Sequence, residues 1–240
     1  MLYDLHPATP FIAAGLVTLI CLLVVSRSIK EERDGVNVHS EISVENKQSR
    51  SSFKSQLDRT TLFLLAAIFF WFVAYQGVET LFTLYGKNHL GLSEKAASFS
   101  LTFFSLAFVL FAIPSGLLGK RFGKKKVIIT GICGLFAVFT LVIFVQDLLT
   151  LRIVLLIGGM FWACININSY PYIISTGKEE NIGTRTGLYY LVSSLAAISS
   201  PPLLGQMIDS FGYDILFYCA SASMLVALGC MMMVKRENVF

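Results

Sequence analysis

The sequence predicts an all-α polytopic membrane protein with seven transmembrane helices, and three observations predict it. Of the 240 residues 55% are hydrophobic and only 14% charged, and mean hydropathy is +0.70, more apolar matter than one small soluble core can bury. Seven apolar stretches each come near the about 20 residues that cross roughly 30 Å of hydrocarbon. Charged residues fall almost entirely between those stretches, with Lys and Arg gathered on alternate loops.

The first span covers residues 8–26. It lacks the basic flank and small-residue cleavage site of a signal peptide, so it reads as a retained helix. Residues 27–59 follow, a mixture of Glu, Lys, Asn and Gln with a Ser51-Ser52 pair and no sustained apolar period, which predicts a linker. Six further spans occupy 60–83, 97–118, 127–146, 151–175, 186–208 and 213–234. Their short connections make consecutive helices antiparallel neighbours in one bundle. The chain thus divides into a helix at 1–26, a linker at 27–59 and a six-helix unit at 60–240.

Orientation follows from the basic residues, which stay on the cytoplasmic side. Sixteen Lys and Arg fall on one side, including Arg27, Lys54, Lys120, Arg121, Lys124, Lys125, Lys126, Lys178, Lys235 and Arg236, while Lys87, Lys95 and Arg152 alone fall on the other. This places the N-terminus outside and the C-terminus in the cytoplasm of an integral membrane protein, most simply in the plasma membrane. The net charge of +4 is then a topological signal, and no nucleic-acid partner is expected.

Cys21, Cys133, Cys164, Cys219 and Cys230 each lie in an apolar run without a CxxC pair, and His6, His39 and His89 are far apart and outside those runs. They predict free, packed thiols and neither a metal site nor a cofactor. No span carries paired acids or HExxH, so an enzyme is not expected.

Polar groups inside hydrocarbon are expensive and therefore mark functional sites. Glu79 is the one charged side chain well inside a span, about one turn from the end of its apolar run, where a snorkelling carboxylate or an outer gate is the competing role. Gln76, three residues earlier, shares its helix face. The span at 151–175 is the densest in polar groups. Trp162, Asn166 and Tyr170 recur at i, i+4 and i+8 and form one stripe, an aromatic platform beside a hydrogen-bonding amide of the kind that suits a sugar. Asn168 and Tyr172 form a second stripe, and the first is the one expected to face a cavity, with helix-to-helix bonding as the competing role. Pro171 frees the Ile167 carbonyl and predicts a kink or hinge. In the next span small and hydroxylated residues suit close packing, with Tyr189 or Tyr190 able to touch a solute.

The turn between 97–118 and 127–146 reads Pro114-Ser115-Gly116-Leu117-Leu118-Gly119-Lys120-Arg121-Phe122-Gly123-Lys124-Lys125-Lys126. Walker spacing would place a glycine at Pro114 and a Ser or Thr at Arg121, so it is not a phosphate-binding loop. Gly116, Leu118, Gly119, Arg121, Phe122, Gly123, Lys124 and Lys125 resemble the gating motif of the major facilitator superfamily in order and spacing. Lys120 stands where that pattern has an acid, which leaves the usual charge relay at the gate in question.

The resemblance implies that span 8–26 corresponds to the sixth of twelve helices, 27–59 to the central loop and 60–240 to the C-terminal half. Within the superfamily, the Pro114 to Lys126 turn without its acid, Trp162 to Tyr172, and Gly183, Gly187 and Tyr189 look most like the glycoside-pentoside-hexuronide and sucrose symporter branch. It implies alternating access for a small polar solute, such as a sugar, with a coupling cation. It also implies that this chain is a fragment. The N-terminal half would come from a partner chain or, preferably, from reading the gene further upstream. The alternative from another class is a seven-helix receptor or sensor. A retinal protein is excluded by the lack of a lysine between Asp214 and Lys235.

Overall fold

A computed structural model of the chain describes residues 9–28, 58–177 and 181–234. Every element in it is helical: α1 (Thr9–Ser28), α2 (Arg59–Asn88), α3 (Glu94–Phe122), α4 (Lys124–Val142), α5 (Leu148–Ser175), α6 (Ile182–Phe211) and α7 (Ile215–Met233). The chain forms two units, residues 1–48 and 49–240. In the first, α1 is a 20-residue helix whose described side chains, among them Leu16, Ile20 and Leu22, are exposed. In the second, α2 to α7 are each long and apolar enough to cross a membrane. Most of the expected linker at 27–59 lies outside the described residues, as do Lys178, Lys235 and Arg236.

The helices begin and end where capping chemistry dictates, beyond the apolar runs themselves. Asp58, Ser93 and Asp147 each accept the backbone N–H three residues on, at 2.9, 3.2 and 2.8 Å, and so start α2, α3 and α5. The largest difference from the sequence reading is at the far end of α2, which continues through Gly86 to Asn88. Glu79 therefore stands nine residues inside its helix end, about 14 Å along the axis at 1.5 Å per residue, and not one turn from it. The α4 helix, expected to reach 146, stops at Val142.

The packing follows an exchange between two triplets. α2, the first helix of one triplet, packs against α6 and α7, the last two of the other; α5 packs reciprocally against α3 and α4; and α4 meets α7. Close approach is achieved by small residues, the usual device where lipid offers no hydrophobic drive to associate. A Cβ on Gly77 would strike Leu204 and Ser200 of α6, and one on Gly159 would strike the Phe104 backbone of α3. Ser200 Oγ donates to the Val73 carbonyl at 2.6 Å, which satisfies a hydroxyl that is fully buried between α2 and α6.

Antiparallel order places the ends in two groups. At one end Asn88 donates to the Tyr213 hydroxyl at 2.7 Å and His89 pairs with Asp214 at 2.9 Å, so the α2–α3 and α6–α7 turns are tied together. The other end holds the basic turn between α3 and α4.

Candidate functional site

Two assemblies occupy the six-helix unit: an aromatic wall in its middle and a basic clamp at one end. The wall starts with Tyr75 of α2 and Trp162 of α5, stacked at 4.0 Å with their planes 11° apart. Phe104 lies beyond Tyr75 at 5.8 Å, Phe72 meets Trp162 edge-on at 5.6 Å, and Tyr189 of α6 meets Phe72 at 6.2 Å. Tyr170 then contacts Tyr189 at 5.4 Å and Tyr190 at 5.9 Å. Offset and edge-to-face rings at such separations attract through their quadrupoles as well as burying area.

The sequence candidates sort by depth on this wall. Trp162 and Tyr189 are buried, at 2% and 6% exposure, and form its backing. A solute reaching Trp162 would first meet Tyr75. Ser169 and Tyr189 share a hydroxyl hydrogen bond at 3.1 Å, and Tyr170 and Thr186 share another at 3.2 Å. Gln76 and Asn166, one residue from Tyr75 and one turn from Trp162, are half-buried, and neither amide has a hydrogen-bond partner among the described residues. Glu79 is exposed and, beside Tyr75, helps line a cavity of about 40 Å³ with Ser105 and Phe104. Sequence reasoning missed Phe72 and Tyr75. The signal was present, because Phe72, Tyr75, Gln76 and Glu79 recur at i, i+3, i+4 and i+7.

Asn168 has a different role. Its Nδ2 donates to Ser115 Oγ at 2.9 Å and to the Cys164 carbonyl at 3.0 Å, while Ser115 Oγ donates to the Ala163 carbonyl at 2.9 Å. The amide is buried against Gly119, where any side chain would overlap its Oδ1. Asn168 of the second stripe thus ties α5 to α3.

The basic clamp grows from that contact. Gly123 is at once the last cap of α3 and the first of α4, with φ +91°, a backbone state that L side chains rarely adopt. The one-residue turn aims the following lysines at the ends of other helices. Lys124 Nζ donates to the Pro171 carbonyl of α5 at 3.2 Å, and Lys125 Nζ to the Val234 carbonyl at the end of α7 at 2.5 Å. Cations at helix C-termini meet the negative end of the helix dipole. Gly116 is half-buried within 3.7 Å of Ile167 (measured from an added Cβ), and Arg121 is exposed, its guanidinium 5.3 Å from the Phe122 ring. Pro171 lies within α5, so the proposed hinge coincides with the carbonyl that Lys124 holds.

Six long apolar helices in two exchanged triplets, with polar groups on an aromatic wall and a glycine–lysine turn at one end, define a polytopic integral membrane protein of transporter type. Residues 87–239 match the family model of the Major Facilitator Superfamily, and the chain belongs to that superfamily. Its exchange of triplets fits the nested three-plus-three repeats described for such halves. The chain is 26% identical over 160 residues to siderophore iron transporter 2 of Schizosaccharomyces pombe, covering 64% of this chain and 27% of that protein. It is 26% identical over 151 residues to human monocarboxylate transporter 7, covering 61% and 29%. It is 28% identical over 162 residues to the class B tetracycline resistance protein of Escherichia coli, covering 65% and 39%. The chain therefore spans between about a quarter and two fifths of the length of these relatives. Among solved structures, the peptide transporter POT with alafosfalin bound superposes with a TM-score of 0.63 at 18% identity, over 75% of this chain and 39% of that one, which shows a shared fold. These relatives are transporters, a non-enzymatic class, and they leave the receptor alternative without support.

Proposed function

We propose that the six-helix unit is one half of an alternating-access transporter for a small polar solute of the sugar class, coupled to a cation through Glu79. The observation that carries the reading is the pair of half-buried amides, Gln76 next to Tyr75 and Asn166 one turn from Trp162, without hydrogen-bond partners among the described residues beside the Tyr75–Trp162 stack. Amides in a membrane interior need partners, and hydroxyls of a solute laid on the aromatic wall would supply them. Glu79 would take up the coupling cation, its carboxylate beside Tyr75 in the lining of the small cavity. The relatives carry siderophore iron, monocarboxylate and tetracycline in their names, so the solute class proposed here rests on this chain's own residues.

In this reading the complementary helices face the same cavity from a second half, whether on a partner chain or on the same gene product. The two halves rock about a midplane site, with Pro171 as a flexing point and the basic end in the cytoplasm. The test is gradient-driven uptake of a labelled sugar panel into cells carrying the complete transporter, with Glu79→Gln and Asn166→Ala variants. Glu79→Gln should abolish accumulation and spare exchange, and Asn166→Ala should weaken solute protection of a thiol placed nearby. Intact accumulation in Glu79→Gln removes the coupling role, and unchanged protection in Asn166→Ala assigns that amide to packing.

A further inference from the structure

The end of the bundle with the basic clamp contains a cavity of about 360 Å³, within the about 300–1,000 Å³ typical of small-molecule sites. It lies between the α3–α4 turn and the end of α5. Its wall carries four lysines, Lys120, Lys124, Lys125 and Lys126, together with the side chains of Ser175 and Thr176, and no carboxylate among the described residues. Lys124 and Lys125 are half-buried and fixed by their carbonyl contacts, whereas Lys120 and Lys126 are exposed at the rim.

Two further features add to the positive field. The 19-residue α4 follows Gly123 as its N-cap with no side-chain cap, so the first N–H groups of the helix point toward this end without a carboxylate or hydroxyl among the described residues to receive them. Behind the wall, Arg185 of α6 is only 6% exposed; its Nη1 donates to Thr176 Oγ1 and to the Ile173 carbonyl, and its Nε has no partner among the described residues. Among the described residues this buried guanidinium is bonded only to neutral oxygens, which leave its charge unbalanced by any carboxylate there.

We propose that this cavity is a binding site for a phosphate-bearing anion, with Lys120 and Lys126 closing on the phosphate over a floor of Lys124, Lys125 and Thr176. The cavity opens at the end of membrane-spanning helices, where lipid phosphodiesters lie, and basic pockets between such helices take anionic headgroups. A headgroup and free phosphate share the recognised chemistry, and the experiment separates them.

The purified full chain is loaded with phosphatidylcholine, with or without phosphatidylglycerol, and lipid retention and thermal stability are measured with and without inorganic phosphate. Wild type should retain phosphatidylglycerol over phosphatidylcholine, and Lys120→Gln/Lys126→Gln should lower that preference about twenty-five-fold, taking about fivefold for each lysine near an anionic surface. Arg59→Gln/Arg121→Gln removes the same charge at the same end outside the cavity and should leave the preference largely in place. Lys120→Arg/Lys126→Arg should restore it, which separates loss of the site from loss of the fold. Stabilisation of wild type by inorganic phosphate alone, absent in Lys120→Gln/Lys126→Gln, assigns the site to a soluble phosphate. The proposal is overturned if neither probe is preferred over phosphatidylcholine, or if both glutamine doubles lose the preference equally.

Discussion

Asn168 occupies the space that a side chain at Gly119 would need: a Cβ there would overlap its Oδ1. The amide cannot swing aside cheaply, because Nδ2 is bonded to Ser115 Oγ and the Cys164 carbonyl. Gly119→Ala should therefore destabilise the bundle by about 1–3 kcal/mol, the range for overpacking a fitted core. Asn168→Ala alone should cost less, about 1 kcal/mol, the scale of interhelical polar bonds in membranes. The double variant should be clearly more stable than the sum of the two predicts, because the small residue at 168 makes room for the new methyl. Thermal unfolding of the four proteins in one detergent checks this, and strict additivity would show that the contact is not the source of the cost.

This relationship also marks how far the sequence could be read. The apolar run lengths located α2 to α7 within a few residues, since the membrane thickness fixes that scale. Helical period separated Asn166 from Asn168 but could not say which would meet a neighbour. That depended on Ser115 and Gly119, about fifty residues earlier in the chain, coming to lie against α5. The same limit applies to Trp162. Its spacing with Asn166 and Tyr170 predicts one stripe, yet the indole is covered because Phe72 and Tyr75 arrive from α2.

The depth of Trp162 yields a second expectation. Trp162→Ala removes an indole packed by Tyr75 and Phe72 and should cost about 3–5 kcal/mol through lost burial and a residual cavity. Tyr75→Phe keeps the stacked ring and removes only the hydroxyl of a residue that lines the small cavity with Glu79, so it should change stability little while altering any cation dependence of solute binding. Thermal unfolding and solute protection measured on both variants separate the two roles. Equal thermal losses would contradict the division of the wall into a backing and a working face.

The lysines of the α3–α4 turn predict a third, smaller effect. Lys124→Gln removes the cation that Pro171's carbonyl receives near the end of α5 and should lower stability by about 0.3–1 kcal/mol, the usual size of a charge at a helix C-terminus. Lys95→Gln, at the opposite end, serves as a control of equal charge change. Reporter thiols at Ser175 should become more reactive in Lys124→Gln than in the control if the lysine holds that end of α5. Equal reactivity would mean that the end is held by other contacts.

Asp147 predicts the pH dependence at the other end of α5. Its carboxylate accepts the Thr150 backbone N–H at 2.8 Å, and that bond holds its pKa below the ordinary aspartate value. A depressed folded-state pKa means that the capping contribution is fully present above the unfolded value of about 3.9, and is lost as pH falls through the lower folded value. Asp147→Asn keeps an acceptor for Thr150 without the titration, so it should flatten this part of the acid limb while retaining most of the neutral-pH stability. Asp147→Ala should lower stability at neutral pH, and its deficit against wild type should shrink as pH falls below the ordinary aspartate value of about 3.9 toward the lower folded one. Thermal unfolding of the three proteins across that range reads the difference directly. An alanine variant that stays equally below wild type at both ends of the range would mean that the cap acts without its charge.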